Sequence, residues 1–339
     1  MPADPARDPL TDPLILAAPP GIDEAALLDA LAASYGVRGV LAPLAGERDR
    51  NFRLDRDGAA PLLVKVAHPD EDPAITGFQS AALLHLEAAD PGLPLPRMLR
   101  GRDGATEVPH PARDGRPCLL RVLTYLPGTP LTDAVGQEQA LGALTARLDA
   151  ALEGFAHPAD TRRLLWDVRE APSLRALLPE VGDPALRGLA EDAIARFETE
   201  AEAALGALPR QVIHNDLNPH NVLTEGAALS GIIDFGDMVR AARMQEVATA
   251  CAYLLRPGDA PLAGPAAFLA GYRAVLPLPA EQAALLPAVV ATRMALTVLI
   301  THWRARRQPE NAPYILRNMP RARTGLEILA RLPSHALEE

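Results

Sequence analysis

The sequence predicts an α+β fold in two lobes, a small β-rich N-terminal one and a larger helical C-terminal one. Three observations predict it. Strand-like runs crowd the chain between Gly39 and Tyr125. Beyond Leu126-Pro127-Gly128-Thr129-Pro130 the pattern is mostly helical, with one β-like insert from Val212 to Phe235. The length of 339 residues exceeds the usual size of a single hydrophobic core. Sheet first and helix second is the order of an α+β chain, and the cleft between two such lobes is the default place for a ligand. The expected parts are a loose tail over residues 1–20, an N-terminal lobe over 21–126 and a C-terminal lobe over 127–339.

Each element has its own signal. The Pro- and Asp-rich start has little apolar surface to repay the entropy of ordering, so poor order is expected there. Asp23 can cap a helix in which Ala26, Leu27, Ala30 and Leu31 recur at helical spacing, with Gly36 as its terminator. Asn51–Asp55 and Pro61–Val66 read as a hairpin about the Asp57-Gly58 turn. Its period of two puts Leu63 and Lys65 on one sheet face and Leu62, Val64 and Val66 on the other. Pro73 to Ala89 reads as a helix with Phe78, Ala82, Leu83 and Leu86 on its apolar side. Two more strands are expected over Pro96–Arg100 and Pro117–Tyr125, followed by a hinge at Leu126–Pro130 where Pro restricts the backbone and Gly frees it.

Composition narrows the function. With 48% apolar and 22% charged residues the chain reads as soluble and globular, and no apolar run reaches the roughly 18 residues of a membrane helix. A start rich in acids and prolines is unlike a secretory signal, so a cytoplasmic location is expected. Cys118 and Cys251 are too few for a disulfide framework or a four-ligand zinc site. The net charge of −10 argues against nucleic acid as a partner and suits a small or cationic substrate.

Polar groups concentrate in His214-Asn215-Asp216-Leu217-Asn218-Pro219-His220-Asn221 and in Ile233-Asp234-Phe235-Gly236-Asp237, each set between short apolar runs. Phosphoryl transfer asks a protein for an acceptor of the hydroxyl proton, oxygen ligands for Mg²⁺ and a cation on the nucleotide phosphates. Asp216 suits the first task, Asn221 and Asp234 the second and Lys65 the third. The same stretch contains His214-x-Asp216-x3-His220, which a zinc hydrolase could use, but the remaining histidines form no second cluster. His214 is expected to bond the backbone near Asp216, and Asp237 to assist metal or substrate or lie on the surface. Trp166, Trp303 and Tyr314 read as packing anchors.

His214-x-Asp216-x4-Asn221 with Ile233-Asp234-Phe235-Gly236-Asp237 resembles the catalytic and metal loops of the aminoglycoside phosphotransferase and choline kinase superfamily. The resemblance runs from about residue 20 to about 335 and is nearest the hydroxylysine kinase branch, through Glu47–Arg53, Leu123–Gly128, Ile233–Met238 and Pro309-Glu310-Asn311. It implies a protein-kinase-like fold with Asp216 as base, Asn221 and Asp234 on Mg²⁺, and Lys65 on the phosphates of ATP or GTP, GTP being the donor associated with hydroxylysine kinase. It also implies a glutamate beside the lysine, where this chain aligns Gln79, with Glu71 and Glu87 as poorer matches. No Gly-rich phosphate loop is present, and Gly46–Asn51, with Arg48 or Arg50, occupies its place. The acceptor implied is a small amino alcohol or hydroxy amino acid. Its carboxylate would meet an arginine of the helical lobe, with Arg293 and Arg304 as candidates. The alternatives are a pseudokinase, which Gln79 keeps open, and an aminoglycoside or homoserine kinase.

Overall fold

The computed structural model describes residues 9–332. The N-terminal sheet has five antiparallel strands in the order β1-β2-β3-β5-β4. They are β1 (Val40–Leu44), β2 (Arg50–Arg56), β3 (Ala59–Val66), β4 (Val108–Pro111) and β5 (Pro117–Thr124). Alternation decides which face is buried. Leu62, Val64 and Val66 pack with Phe52, Leu54, Leu120 and Val122 against Leu27 and Leu31 of α1 (Glu24–Ser34). Asp23 caps α1 through two backbone N–H groups, as its position suggested. The opposite face carries Lys65, directly across from Asn51 on β2 and Arg121 on β5.

Helix α2 (Pro73–Ala89) is capped by Asp72 and begins with proline at its first position. Its apolar side does not turn toward the sheet core. Phe78, Ala82, Leu83 and Leu86 join the core of the helical lobe instead, with Phe78 stacked at 6.1 Å on Phe155. One element of the first lobe thus anchors the second, which fixes the cleft between them. Pro96–Arg100 contributes a single bridge, Met98 to Leu123, instead of a strand.

The crossing at residues 125–128 ends in β6 (Thr129–Pro130), which pairs with the hairpin β8 (Val222–Glu225) and β9 (Ala228–Ile232). Gly128 sits at φ +105°, and a Cβ there would meet the Thr224 carbonyl at 2.7 Å, so both backbone and space demand glycine. A second short pair joins β7 (Arg210–Ile213) to β10 (Val239–Ala242). Around these small sheets pack α3 (Glu138–Ala151), α4 (Pro184–Arg196), α5 (Glu202–Ala207), α6 (Arg243–Ala252), α7 (Ala263–Arg273), α8 (Ala280–Ala283), α9 (Leu286–Arg307), α10 (Ala312–Ile315) and α11 (Met319–Leu329).

Two further expectations are corrected. The stretch Ala280–Arg307 is long and apolar enough to cross a membrane, with mean hydropathy 2.0 over its best window. That window is 89% buried in protein, so α9 is the central helix of the lobe, and Arg293 in its middle disguised it in the sequence. The described part of the expected loose tail, residues 9–20, is docked. Leu14 is buried, Ile15 packs on the helical core, the Leu16 carbonyl accepts from Gln308 and the Pro20 carbonyl accepts from Arg50. The apolar side chains of Leu10, Leu14 and Ile15 and bonds to both lobes offset the ordering entropy. Residues 1–8 of that tail lie outside the described residues.

Candidate active site

The lobes enclose a cleft of about 530 Å³, and the residues singled out from the sequence converge on it. Arg48, Asn51, Lys65 and Gln79 line it from the sheet side, Asp216, Asn221, Asp234 and Asp237 from the helical side. His214 is fully buried just behind.

Two residues with positive φ shape the loops. Asn215 (φ +66°) and Asp234 (φ +65°) occupy the left-handed region, which Asn and Asp tolerate better than most residues. Such turns aim Asp216 and Asp234 inward, and the Asp234 carboxylate also caps the Gly236 N–H at 3.3 Å. His214 braces both loops. Its Nδ1 accepts from the Asp216 N–H at 3.3 Å and its Nε2 donates to the Ile233 carbonyl at 3.0 Å, with the ring edge-on to Phe235. Burial lowers its pKa and keeps the imidazole neutral.

Asp216 is held at both oxygens. Oδ2 accepts from Asn221 Nδ2 at 2.7 Å and from Asn218 Nδ2 at 3.0 Å, while Oδ1 accepts from Arg293 Nη2 at 2.8 Å. Arg293 is 1% exposed, donates also to the Trp166 carbonyl and lies 5.0 Å over the Trp166 ring. Burial raises the Asp216 pKa and Arg293 opposes it, leaving the carboxyl at about 7. A group poised there is suited to taking a hydroxyl proton near neutral pH.

Asn221 gives Nδ2 to the Asp216 carboxylate and carbonyl, which leaves its amide oxygen as the end available to a cation. Asp234 is exposed to the cleft. One amide oxygen and one carboxylate fit Mg²⁺, which fills its octahedron largely with water and substrate phosphates. The zinc arrangement does not assemble. His214 is engaged on both nitrogens, His220 Nε2 meets Asn318 Oδ1 at 3.2 Å, and no three His, Cys, Asp or Glu side chains cluster as a metal site among the described residues.

Lys65 has a carboxylate beside it, and the residue that supplies it was not the one aligned from sequence. Asp49 Oδ2 lies 3.3 Å from the Lys65 ammonium and 3.6 Å from Arg121. Burial pushes the Asp49 pKa up, but Lys65, Arg121 and Arg48 together outweigh it, and the carboxyl sits below its ordinary range. Gln79 is a correction, because its Oε1 accepts from Arg121 at 3.0 Å rather than bonding Lys65. The register explains it. Arg121 stands directly opposite Lys65 and reaches α2 first with a longer, forked side chain. Glu71 faces Arg48 at 4.0 Å, and Arg48 reaches Asp237 at 4.0 Å, so the loop that replaces a Gly-rich turn is tied across the cleft. Asn51 Nδ2 bonds the Ala45 carbonyl and holds that loop to β2. Arg50 points away, to the Pro20 carbonyl.

Sequence reasoning missed Arg293 as the partner of Asp216, offering it instead for a substrate carboxylate. It also missed Glu246 on α6, which is fully buried and accepts the Asn215 N–H at 2.8 Å. Burial raises the Glu246 carboxyl to about 7 against the backbone N–H groups of the catalytic loop. The only signal for either was a charge inside an apolar helical stretch.

The model of a phosphotransferase enzyme family matches residues 40–285. The chain belongs to that family. It is 29% identical over 318 residues to hydroxylysine kinase of Mus musculus, covering 86% of this chain and 83% of that one. It is 33% identical over 259 residues to homoserine kinase of Acidiphilium cryptum, covering 76% and 77%. The solved microcompartment-associated aminopropanol kinase superposes with a TM-score of 0.72 at 23% identity, over 91% of this chain and 97% of that one, a likeness of fold. The protein is thus a small-molecule kinase of the phosphotransferase family with the two-lobed α+β architecture.

Proposed function

We propose that this kinase moves the terminal phosphate of ATP or GTP, with Mg²⁺, to the hydroxyl of a small amino alcohol or hydroxy amino acid, with hydroxylysine as the leading acceptor. The observation that carries the reading is the double clamp on Asp216. With two N–H groups on Oδ2, the remaining acceptor capacity lies on Oδ1, beside Arg293. An acceptor hydroxyl bonded there has its oxygen lone pairs turned toward the phosphate and its proton toward a carboxylate titrating near 7. Asn221 and Asp234 would hold the metal, which supplies charge neutralisation to the phosphates when bound. Lys65, kept in place by Asp49, and Arg48 supply cations from the sheet side.

The relatives favour a small acceptor. Four of those matched over most of this chain are hydroxylysine kinases, at 26–29% identity. The solved amicoumacin kinase of similar fold, TM-score 0.67, is bound to AMP-PNP and Ca²⁺, which supports a nucleotide and a divalent cation here. The Lys65–Asp49 pair argues against a pseudokinase, since the cation keeps a charged partner although position 79 is neutral. Cys118 and Cys251 are free and buried, which suits a reducing, cytoplasmic setting. A coupled turnover screen tests the reading, with ATP and GTP against hydroxylysine, homoserine, choline, ethanolamine and aminoglycosides. Efficient phosphorylation of aminoglycosides with hydroxy amino acids ignored would overturn the acceptor assignment and leave the kinase.

A further inference from the structure

Helix α9 presents one stripe to the cleft: Arg293, Thr297, Ile300, Thr301 and Arg304, at spacings of a single helical face. The charge at its first end is committed to Asp216 and the Trp166 carbonyl. The charge at its other end is not. Arg304 is 7% exposed and, where Arg293 uses both Nη groups, its Nη1 alone meets a carboxylate, Glu47, at 3.2 Å; its buried Nε, like that of Arg293, has no partner. Glu47 belongs to the loop of the other lobe, and its side chain is 37% exposed against 9% for Arg304. A buried guanidinium whose planar fork is half used by a solvent-facing loop carboxylate has the chemistry of a bidentate carboxylate site.

We propose that Arg304 is the anchor for the carboxylate of the acceptor, with Glu47 holding the place until the acceptor arrives. The proposal rests on the hydroxy amino acid reading above and names the residue that selects it. Eleven residues separate Arg293 from Arg304, about 16 Å along the helix. Asp216, held by Arg293, and Arg304 both line the cleft, so an acceptor with its hydroxyl at Asp216 can turn its carboxylate along the α9 stripe toward Arg304. The same guanidinium could bind a phosphate of the nucleotide, but Lys65 and Arg48 already stand on the sheet side for that role. Arg304 lies on the helical wall, close enough to Tyr314 to act on its phenol.

The test compares hydroxylysine with the diamino alcohol obtained by removing its carboxyl group. The parent enzyme is expected to prefer hydroxylysine. Arg304→Gln is expected to raise KM for hydroxylysine by roughly 10- to 100-fold, the scale of a lost charge-assisted hydrogen bond. KM for the diamino alcohol and for the nucleotide, and kcat, stay near parent values, and Arg304→Lys recovers part of the loss. Should the Arg304 variants fail to fold, Glu47→Gln gives an independent reading: with its competitor gone, KM falls for hydroxylysine and not for the diamino alcohol. An Arg304→Gln effect equal on both acceptors, or one that moves to the nucleotide KM, overturns the anchor while the parent's turnover of hydroxylysine keeps the proposed function. Failure of the parent on both acceptors, with aminoglycosides turned over, overturns both.

Discussion

Asp216→Asn is usually the mild way to remove a catalytic carboxylate, and from sequence alone it would leave the fold untouched. The contacts of Asp216 predict otherwise. An asparagine can offer its oxygen to Arg293 or to the two amides, but not to both. With the oxygen toward Arg293, its NH₂ group meets the Nδ2 groups of Asn218 and Asn221, now donor against donor. Asn218 cannot simply flip, because its Oδ1 caps the His220 N–H at 2.9 Å. With the oxygen toward the amides, Arg293 keeps the Trp166 carbonyl and ring and the Tyr253 side chain but loses its ion-pair partner at 1% exposure. Breaking one side of a buried ion pair costs about 3–5 kcal/mol. Asp216 retains 18% exposure, which places the loss near the lower end, at about 3 kcal/mol, at a pH above the value of about 7 at which its carboxyl ionises.

Two measurements follow from the one variant. Turnover is expected to fall by about 10²- to 10⁴-fold as the proton acceptor is lost. Urea unfolding at pH 8, where the carboxylate is ionised, should show a lower midpoint at unchanged slope. Adding Arg293→Met to Asp216→Asn should restore part of the stability, since it removes the stranded charge, while turnover stays low. An Asp216→Asn protein as stable as the parent would refute the ion-pair argument, and one with near-parent turnover would remove Asp216 from the chemistry.

Three other outcomes are expected. Asp234→Ala abolishes Mg²⁺-dependent nucleotide binding by calorimetry, because the exposed carboxylate in the cleft is lost; undiminished binding would reduce Asp234 to the cap of Gly236. Asp49→Asn raises the nucleotide KM by about tenfold, since Lys65 loses its charged partner and the two cations of the sheet repel; an unchanged KM would mean that the ammonium is held elsewhere. Glu246 concerns pH. Its folded value of about 7 lies above the ordinary 4.5, so the folded state binds more protons between them. Its contribution to stability is present below about 4.5 and is lost as pH rises through 7, with an upper bound of a few kcal/mol at about 1.4 per pKa unit. Glu246→Gln should therefore show a thermal midpoint that changes less than the parent's between pH 5 and pH 8, and parallel curves would exclude the group.

What could be read in the sequence was whatever a local rule controls. The hairpin β2–β3, the helix Pro73–Ala89 with its proline at the first turn, and the capping of α1 by Asp23 each depend on residues a few positions apart. The loops bearing Asp216, Asn221 and Asp234 were legible because their polar residues stand between short buried strands, where a polar cluster needs a reason. The docked segment from Pro9 to Pro20 was misread for the converse reason. Its larger apolar residues, Leu10, Leu14, Ile15 and Leu16, stand among prolines with no helical or strand period, and the bonds that help hold it come from Gln308 and Arg50.

The illegible part of the site is the pairing of charges, and the lysine shows why. A period of two places Lys65 on the cleft face, but only strand register reveals that Arg121 stands opposite it on β5. Once two cations share that face, a carboxylate on the loop before β2 can serve both, and Asp49 does. The helix position that faces them then needs no charge of its own; an amide there accepts from Arg121. Arg293 follows the same logic across 77 residues, where burial of a guanidinium in α9 demands an anion and Asp216 is the one within reach. A neutral residue where an acid is expected is thus no sign of a disabled site until the cations around it have been counted in space.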